Sequence, residues 1–231
     1  MAESEETAAI LRRALEYPYA TPERSYLYRE GGAAELPPAG PDLAGRTPLL
    51  SYGANAAPEA LALKLASLPG LEMPVLRAEL EDFDVAYSAH ISPYGAVPAT
   101  LVESAGTRAP VFVVYPNPEQ LELLTALELN YDLVTLSGIS CRLENGAALA
   151  ELGAYRSKHG PLSLDGSAVG LAAVRAAGRT LPELDEPAVL DRVRVHVAPE
   201  LALEQFIHSC ITRGGIKPLP ELHQISGPPG G

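Results

Sequence analysis

The 231-residue sequence predicts an α+β protein, a small mixed β-barrel with flanking helices. Short apolar or alternating runs of strand length crowd the stretch from 48 to 160. Only a few amphipathic stretches interrupt or flank them, and short strands that outnumber helices favour a closed or strongly curved sheet. With a hydrophobic fraction of 47%, the chain can fill such a core. Residues 1–47 read as a helix and a Pro/Gly-rich arm, 48–160 as the core (firmest over 48–156), and 161–231 as an extension with a helix and a tail.

In chain order, Ser4 to Glu16 reads as a helix, with Ile10, Leu11, Ala14 and Leu15 on one face, and Pro18 stops it. From Pro18 to Pro48 the chain reads as a connector or extended arm. Leu49 to Tyr52 is a short strand, followed by a helix with Pro58 near its first position and Leu61, Leu65 and Leu68 on one face, closed by Pro69-Gly70. Strands follow over Val75–Leu80 and Phe83–Ala89, then over Ala99–Glu103 and Val111–Tyr115, the last two joined by a turn at 104–107. Asn117-Pro118-Glu119-Gln120 starts a helix that runs to about Leu129. Strands from Tyr131 to Leu143 and Ala147 to Arg156 flank Asn145-Gly146, a type I′ turn signal. A further hairpin is expected at Asp165-Gly166, 187–197 is ambiguous between helix and strand, and 199–212 is helical. The tail ISGPPGG is expected to be disordered.

Charge narrows the function. Lys and Arg number 17 against 29 Asp and Glu, a net charge of −12 that repels phosphate backbones, so no nucleic-acid partner is expected. No apolar run reaches the ~20 residues needed to span a bilayer, and the acidic N-terminus is unlike a signal peptide. A cytoplasmic location without membrane partners is the expectation. Cys141 and Cys210 read as core residues, and no histidine has ligand spacing, so no metal site is expected. Ser51 and Ser92 lack a nucleophile-elbow context, and Asp84 reads as an outward polar residue of its strand.

Two features can carry chemistry. In LLSYGANAAPEAL a glycine lets the backbone approach a ligand, and the N–H groups that follow suit a carboxylate or an oxyanion. The bland alternative is a tight turn capped by Asn55. Glu128 lies seven residues after Leu121 and four after Leu124, on the apolar stripe of its helix. A carboxylate so placed either pairs with a cation or donor, or faces a cavity as a general base would.

Four stretches in order resemble the γ-glutamylcyclotransferase-like family. Tyr52-Gly53-Ala54-Asn55 matches its YGSN loop, and Leu80 to Tyr87 its LxDFxLxF strand. GAVPATLVESAGTRAPVFVVY follows its next strand pair, and Leu124 to Leu129 its LDxLEG helix, with Glu128 in the catalytic place. Tyr131 and Tyr155 fall where the family keeps tyrosines near its pocket.

The resemblance implies that a γ-glutamyl compound is cyclised to 5-oxoproline with release of an amine or amino acid, and that no metal or organic cofactor is required. Glu128 would be the general acid/base, and Tyr52, Gly53, Ala54, Asn55, Tyr131 and Tyr155 would bind the small-molecule substrate. Ala54 stands for the usual Ser, Thr125 for a common Asp and Leu129 for the Gly after the Glu, departures that bear on substrate class. A non-catalytic ligand- or protein-binding member of the same fold is the alternative. The leaving group and the oligomeric state are not legible.

Overall fold

The computed structural model describes residues 2–68 and 70–223. The tail expected to be disordered, and Pro69 at the expected helix end, lie outside the described residues. The chain opens with helix α1 (Ala2–Leu15), whose Ala14 is buried and whose Leu11 and Leu15 pack against the main core. The stretch read as a connector contains a hairpin, β1 (Tyr26–Arg29) and β2 (Gly32–Ala34). Its Glu30-Gly31 turn has φ of 51° and 79°, the left-handed pair of a type I′ turn. Tyr26, Leu27 and Tyr28 are buried, so this segment belongs to the core rather than forming a loose arm.

Next come β3 (Leu49–Ser51), α2 (Pro58–Lys64), β4 (Met73–Tyr87) and β5 (Ala99–Val114). Helix α3 (Pro118–Leu127), β6 (Tyr131–Leu143) and β7 (Ala148–Ser157) follow. Five of these strands close a barrel in the order β4-β5-β3-β7-β6 and back to β4. The β3–β7 pair is parallel and the others are antiparallel, so the barrel is mixed. The hairpin β1–β2 extends it through Tyr26 opposite Val75.

Two expected strand pairs are single long strands. Asp82, at φ 61°, and residues 104–107 form a bulge where the pairing jumps from Glu81–Arg108 to Phe83–Glu103. The Gly106 N–H donates to Asp82 Oδ1 at 2.8 Å, so the polar run read as a turn is a kink within paired strands. At Asn145-Gly146 only the glycine has positive φ. The Gly146 N–H donates to the Leu143 carbonyl at 2.9 Å, giving a three-residue loop rather than type I′.

Strand alternation sorts side chains into two clusters. Leu50 faces the barrel interior with Leu76, Val113 and Ala154. Leu49 faces outward, where Leu61 of α2 and Leu124 of α3 cover it. Burying such a leucine contributes about 1.5–3 kcal/mol each. Cys141 and Cys210 are both buried.

After the barrel come β8 (Ser163–Leu164), β9 (Ser167–Ala168), β10 (Gly170–Leu171) and β11 (Glu183–Leu184). Asp165 and Gly166, at φ 50° and 78°, form the expected turn between β8 and β9. The ambiguous stretch is helix α4 (Glu186–Val197), capped by the Asp185 side chain, and α5 (Leu203–Thr212) follows. Leu162, Val169, Leu171, Val189, Phe206 and Ile207 join the same core as the barrel interior. Asp84 is therefore not outward. It is fully buried under this extension and paired with Arg179 at 2.7 Å. No helix among the described residues is long and apolar enough to cross a membrane.

Candidate active site

The residues singled out above converge at one end of the barrel. Strand β3 ends at Ser51, and Tyr52 and Gly53 lead into a single 3-10 turn, Ala54–Ala56. Helix α3 is set by a complete capping box: Asn117 Oδ1 accepts the Gln120 N–H at 2.8 Å, and Gln120 Oε1 accepts the Asn117 N–H at 3.0 Å. The helix ends one residue before Glu128, which has φ −88° and ψ 53° and caps it rather than continuing the stripe. The chain then turns through Leu129 and Asn130 into β6, with the Tyr131 N–H donating to the Glu128 carbonyl at 3.0 Å.

Glu128, Tyr52, Gly53, Ala54, Asn55, Tyr131 and Tyr155 all line one cavity of about 160 Å³. Glu128 Oε1 accepts from Asn55 Nδ2 at 3.0 Å and from Lys64 Nζ at 2.5 Å, and Lys64 also donates to Asn55 Oδ1 at 2.7 Å. Oε2 has no hydrogen-bond partner among the described residues. The carboxylate thus combines both alternatives read from the sequence: it pairs with a cation and borders a cavity. Lys64 was not singled out, although it is the only Lys or Arg between Arg46 and Arg77 and closes an apolar helix.

Two of the tyrosines are locked by backbone acceptors and the third by a side chain. Tyr52 donates to the Tyr155 carbonyl, and Tyr131 to the Ala99 carbonyl at 2.8 Å. Tyr155 shares a hydrogen bond with Thr125 Oγ1 at 2.8 Å, and Thr125 Oγ1 donates to the Leu121 carbonyl at 2.7 Å. The residue in the place of a common Asp therefore orients a wall tyrosine. Burial pushes the phenols of Tyr52 and Tyr131 well above their ordinary range, so they remain protonated donors.

Sequence reasoning did not place Tyr17, Tyr94 or His90 at the cavity. Tyr17, beyond α1, places its hydroxyl against Gly53 and accepts the Ala99 N–H at 2.8 Å. A Cβ on Gly53 would stand 2.5 Å from that oxygen, which explains the glycine. Tyr94 and His90 come from the 88–98 segment between β4 and β5, and Arg13 lies over the Tyr94 ring at 5.0 Å. Leu129, where the resemblance expects glycine, is 76% exposed at the cavity mouth. Ser92 Oγ accepts the Ala96 N–H at 3.2 Å, and Ser51 Oγ is buried without a partner among the described residues. Among the described residues no group of three His, Cys, Asp or Glu side chains could hold a metal ion.

No protein-family model matches the chain. No curated protein matches its sequence. Several solved structures are similar to part of it. One, described as a gamma-glutamyl cyclotransferase, shares 17% identity over 49% of this chain and 68% of its own, with a TM-score of 0.40. An uncharacterized protein from Homo sapiens shares 18% over 49% and 68%, at a TM-score of 0.39. A protein from Arabidopsis thaliana shares 19% over 51% and 72%, at a TM-score of 0.40.

Proposed function

We propose that this protein cyclises a γ-glutamyl compound to 5-oxoproline and releases an amine or amino acid, with Glu128 as the general acid/base. The observation that carries the reading is the single cavity shared by Glu128 and the loop 53–55. In this reaction the substrate's α-nitrogen attacks its own γ-carbonyl, so proximity is already supplied within the molecule. The protein has to provide a base, an anchor and stabilisation of the developing oxyanion. Glu128 Oε2 takes a proton from the α-ammonium, the new N–C bond forms, and a proton returned to the departing nitrogen lets the old C–N bond break. Over the cycle two protons pass from the attacking to the departing nitrogen, so charge balances. Lys64 and Asn55, both on Oε1, hold the carboxylate so that Oε2 faces the substrate. Backbone N–H groups of residues 53–55 receive the substrate's carboxylate or carbonyl oxygen, a role that needs no hydroxyl at Ala54.

One observation favours a second reading. An ion pair at 2.5 Å commits the Glu128 carboxylate to Lys64, as a non-catalytic ligand-binding site of the same fold would also allow. The deciding experiment measures 5-oxoproline release from γ-glutamyl amino acids, γ-glutamylamines and glutathione, with wild type beside Glu128→Gln. Turnover by wild type alone is expected, and the best substrate identifies the leaving group. No release from any compound selects the binding reading, and equal turnover by both proteins removes Glu128 as the base.

A further inference from the structure

His90 is 1% exposed, lines the cavity and has no place in the chemistry above. Its Nδ1 lies 2.7 Å from Ser88 Oγ, and Ser88 Oγ lies 2.6 Å from Ser157 Oγ. Ser157 Oγ in turn accepts the His159 backbone N–H at 3.0 Å. Either hydroxyl could donate in the Ser88–Ser157 contact, and the amide contact is what orders the pair. With Ser157 Oγ accepting from that amide, Ser88 Oγ is the acceptor left for its proton among the described residues. The order that gives each hydroxyl proton an acceptor therefore runs from Ser157 to Ser88 and from Ser88 to Nδ1 of His90. The reverse order would leave the Ser157 proton without an acceptor among the described residues. A neutral imidazole that accepts at Nδ1 carries its hydrogen on Nε2. Nε2 has no protein partner among the described residues.

The ring is also held in place. Tyr131 meets it edge-on at 5.7 Å, and the His159 ring lies 5.0 Å away. His159 is fixed by Asn130 Oδ1 at 3.3 Å, an oxygen that also accepts from Lys217 at 2.9 Å. Burial, then the charges of His159 and Lys217, push His90 down to about 3, so the ring is neutral near pH 7.

We infer that His90 orients the ligand: the Ser157–Ser88 chain fixes it as the Nε2–H tautomer, and that N–H donates to an oxygen of the molecule filling the cavity. His90 lines the cavity, so a ligand that displaces the water there leaves this N–H costly unless one of its own oxygens receives it. The inference rests on the cavity being the ligand site, as in the proposed function, but not on turnover there.

The test is long-range ¹H–¹⁵N correlation on the full chain carrying ¹⁵N-histidine, first free and then with saturating γ-glutamyl amides, glutamate or 5-oxoproline. His90 is expected as a neutral Nε2–H tautomer that does not titrate between about pH 5 and 8, and its Nε2–H signal is expected to move with at least one compound. An Nδ1–H tautomer or an imidazolium in the free protein overturns the inference, as does an Nε2–H signal unmoved by every compound. Ser88→Ala is expected to release the tautomer, which a purely structural role for the serine would not do. If γ-glutamyl compounds turn over, His90→Phe is expected to raise KM about tenfold and His90→Gln, which keeps an N–H donor, to restore most of it. Movement of His90 by glutamate or 5-oxoproline without any turnover supports the inference while removing the cyclisation reading.

Discussion

Lys64 Nζ lies 2.5 Å from Glu128 Oε1, joining the end of α2 to the cap of α3 across the cavity. The side chains are 25% and 13% exposed, so the pair is partly shielded from water. Hydrogen bonds to charged groups contribute about 1.5–3 kcal/mol, and losing one of the two on Oε1 loosens the carboxylate. Lys64→Met is therefore expected to lower kcat about tenfold or more, with Asn55 keeping a residual hold. Glu128→Gln removes the base itself and is expected to cost about 10²–10⁴. Steady-state kinetics on both variants checks this. A Lys64→Met protein faster than wild type would mean that the ion pair restrains the base instead of orienting it.

Gly53 and Tyr17 share one space. A Cβ at Gly53 would meet Tyr17 Oη at 2.5 Å and Ala99 Cβ at 3.4 Å, and Tyr17 is pinned by the Ala99 N–H at 2.8 Å. Gly53→Ala is expected to destabilise by about 1–3 kcal/mol through overpacking. Tyr17→Phe relieves the clash but strands the Ala99 N–H, at about 1–3 kcal/mol. The double variant should lose clearly less than the two single losses added, as coupled neighbours do. Urea unfolding of the four proteins completes the cycle, and strict additivity would show that the two residues do not compete for that space.

The barrel was legible because strand pairing leaves a local signature of alternating apolar residues, and β6 runs over the predicted Tyr131–Leu143. Helix α3 was legible from Asn117 and Gln120, three residues apart and each capping the other. Glu128 stood out as a carboxylate following the apolar positions Leu121 and Leu124. Its partner did not, because Lys64 is 64 residues away and only the barrel brings them together. Tyr17 and His90 were invisible as lining residues for the same reason: Tyr17 meets Gly53, and the Ser88 hydroxyl beside His90 meets Ser157, only once the chain has folded. The bulge at Asp82 misled because a polar run around Gly106 looks like a turn, whereas its hydrogen bond to Asp82 closes a kink. The β1–β2 hairpin was hidden among the Pro and Gly residues on either side of it.

Asp84 was misread because its cation lies 95 residues on, in the extension. Arg179 contacts both Asp84 carboxylate oxygens through Nε and Nη2, and Nη1 donates to the Leu171 carbonyl at 3.1 Å. With exposures of 6% and 0%, the pair is out of water, so removing one partner leaves a buried charge uncompensated. Arg179→Met alone is expected to cost about 3–5 kcal/mol, whereas Asp84→Leu with Arg179→Met should cost less, because no lone charge remains. Urea unfolding tests this. A single variant within about 0.5 kcal/mol of wild type would show that water or another cation replaces the arginine.

Glu186 gives the expected pH dependence. Its carboxyl is buried, Oε1 accepts the Val97 N–H at 2.7 Å, and Oε2 has no partner among the described residues. Burial first, offset in part by that N–H, holds its pKa well above the ordinary 4.5. The unfolded chain releases this proton near its ordinary value, while the folded protein keeps it to higher pH. Between those two points the folded state binds the extra proton, so unfolding free energy falls as pH rises. The contribution is fully present below the unfolded value and is lost as pH climbs toward the folded one. Glu186→Gln keeps an oxygen for Val97 and cannot ionise, so it should remove this slope. Urea unfolding from about pH 4 to 8 is expected to show the variant gaining on wild type as pH rises. Parallel stability curves would mean that Glu186 ionises in the folded protein much as it does in the unfolded chain.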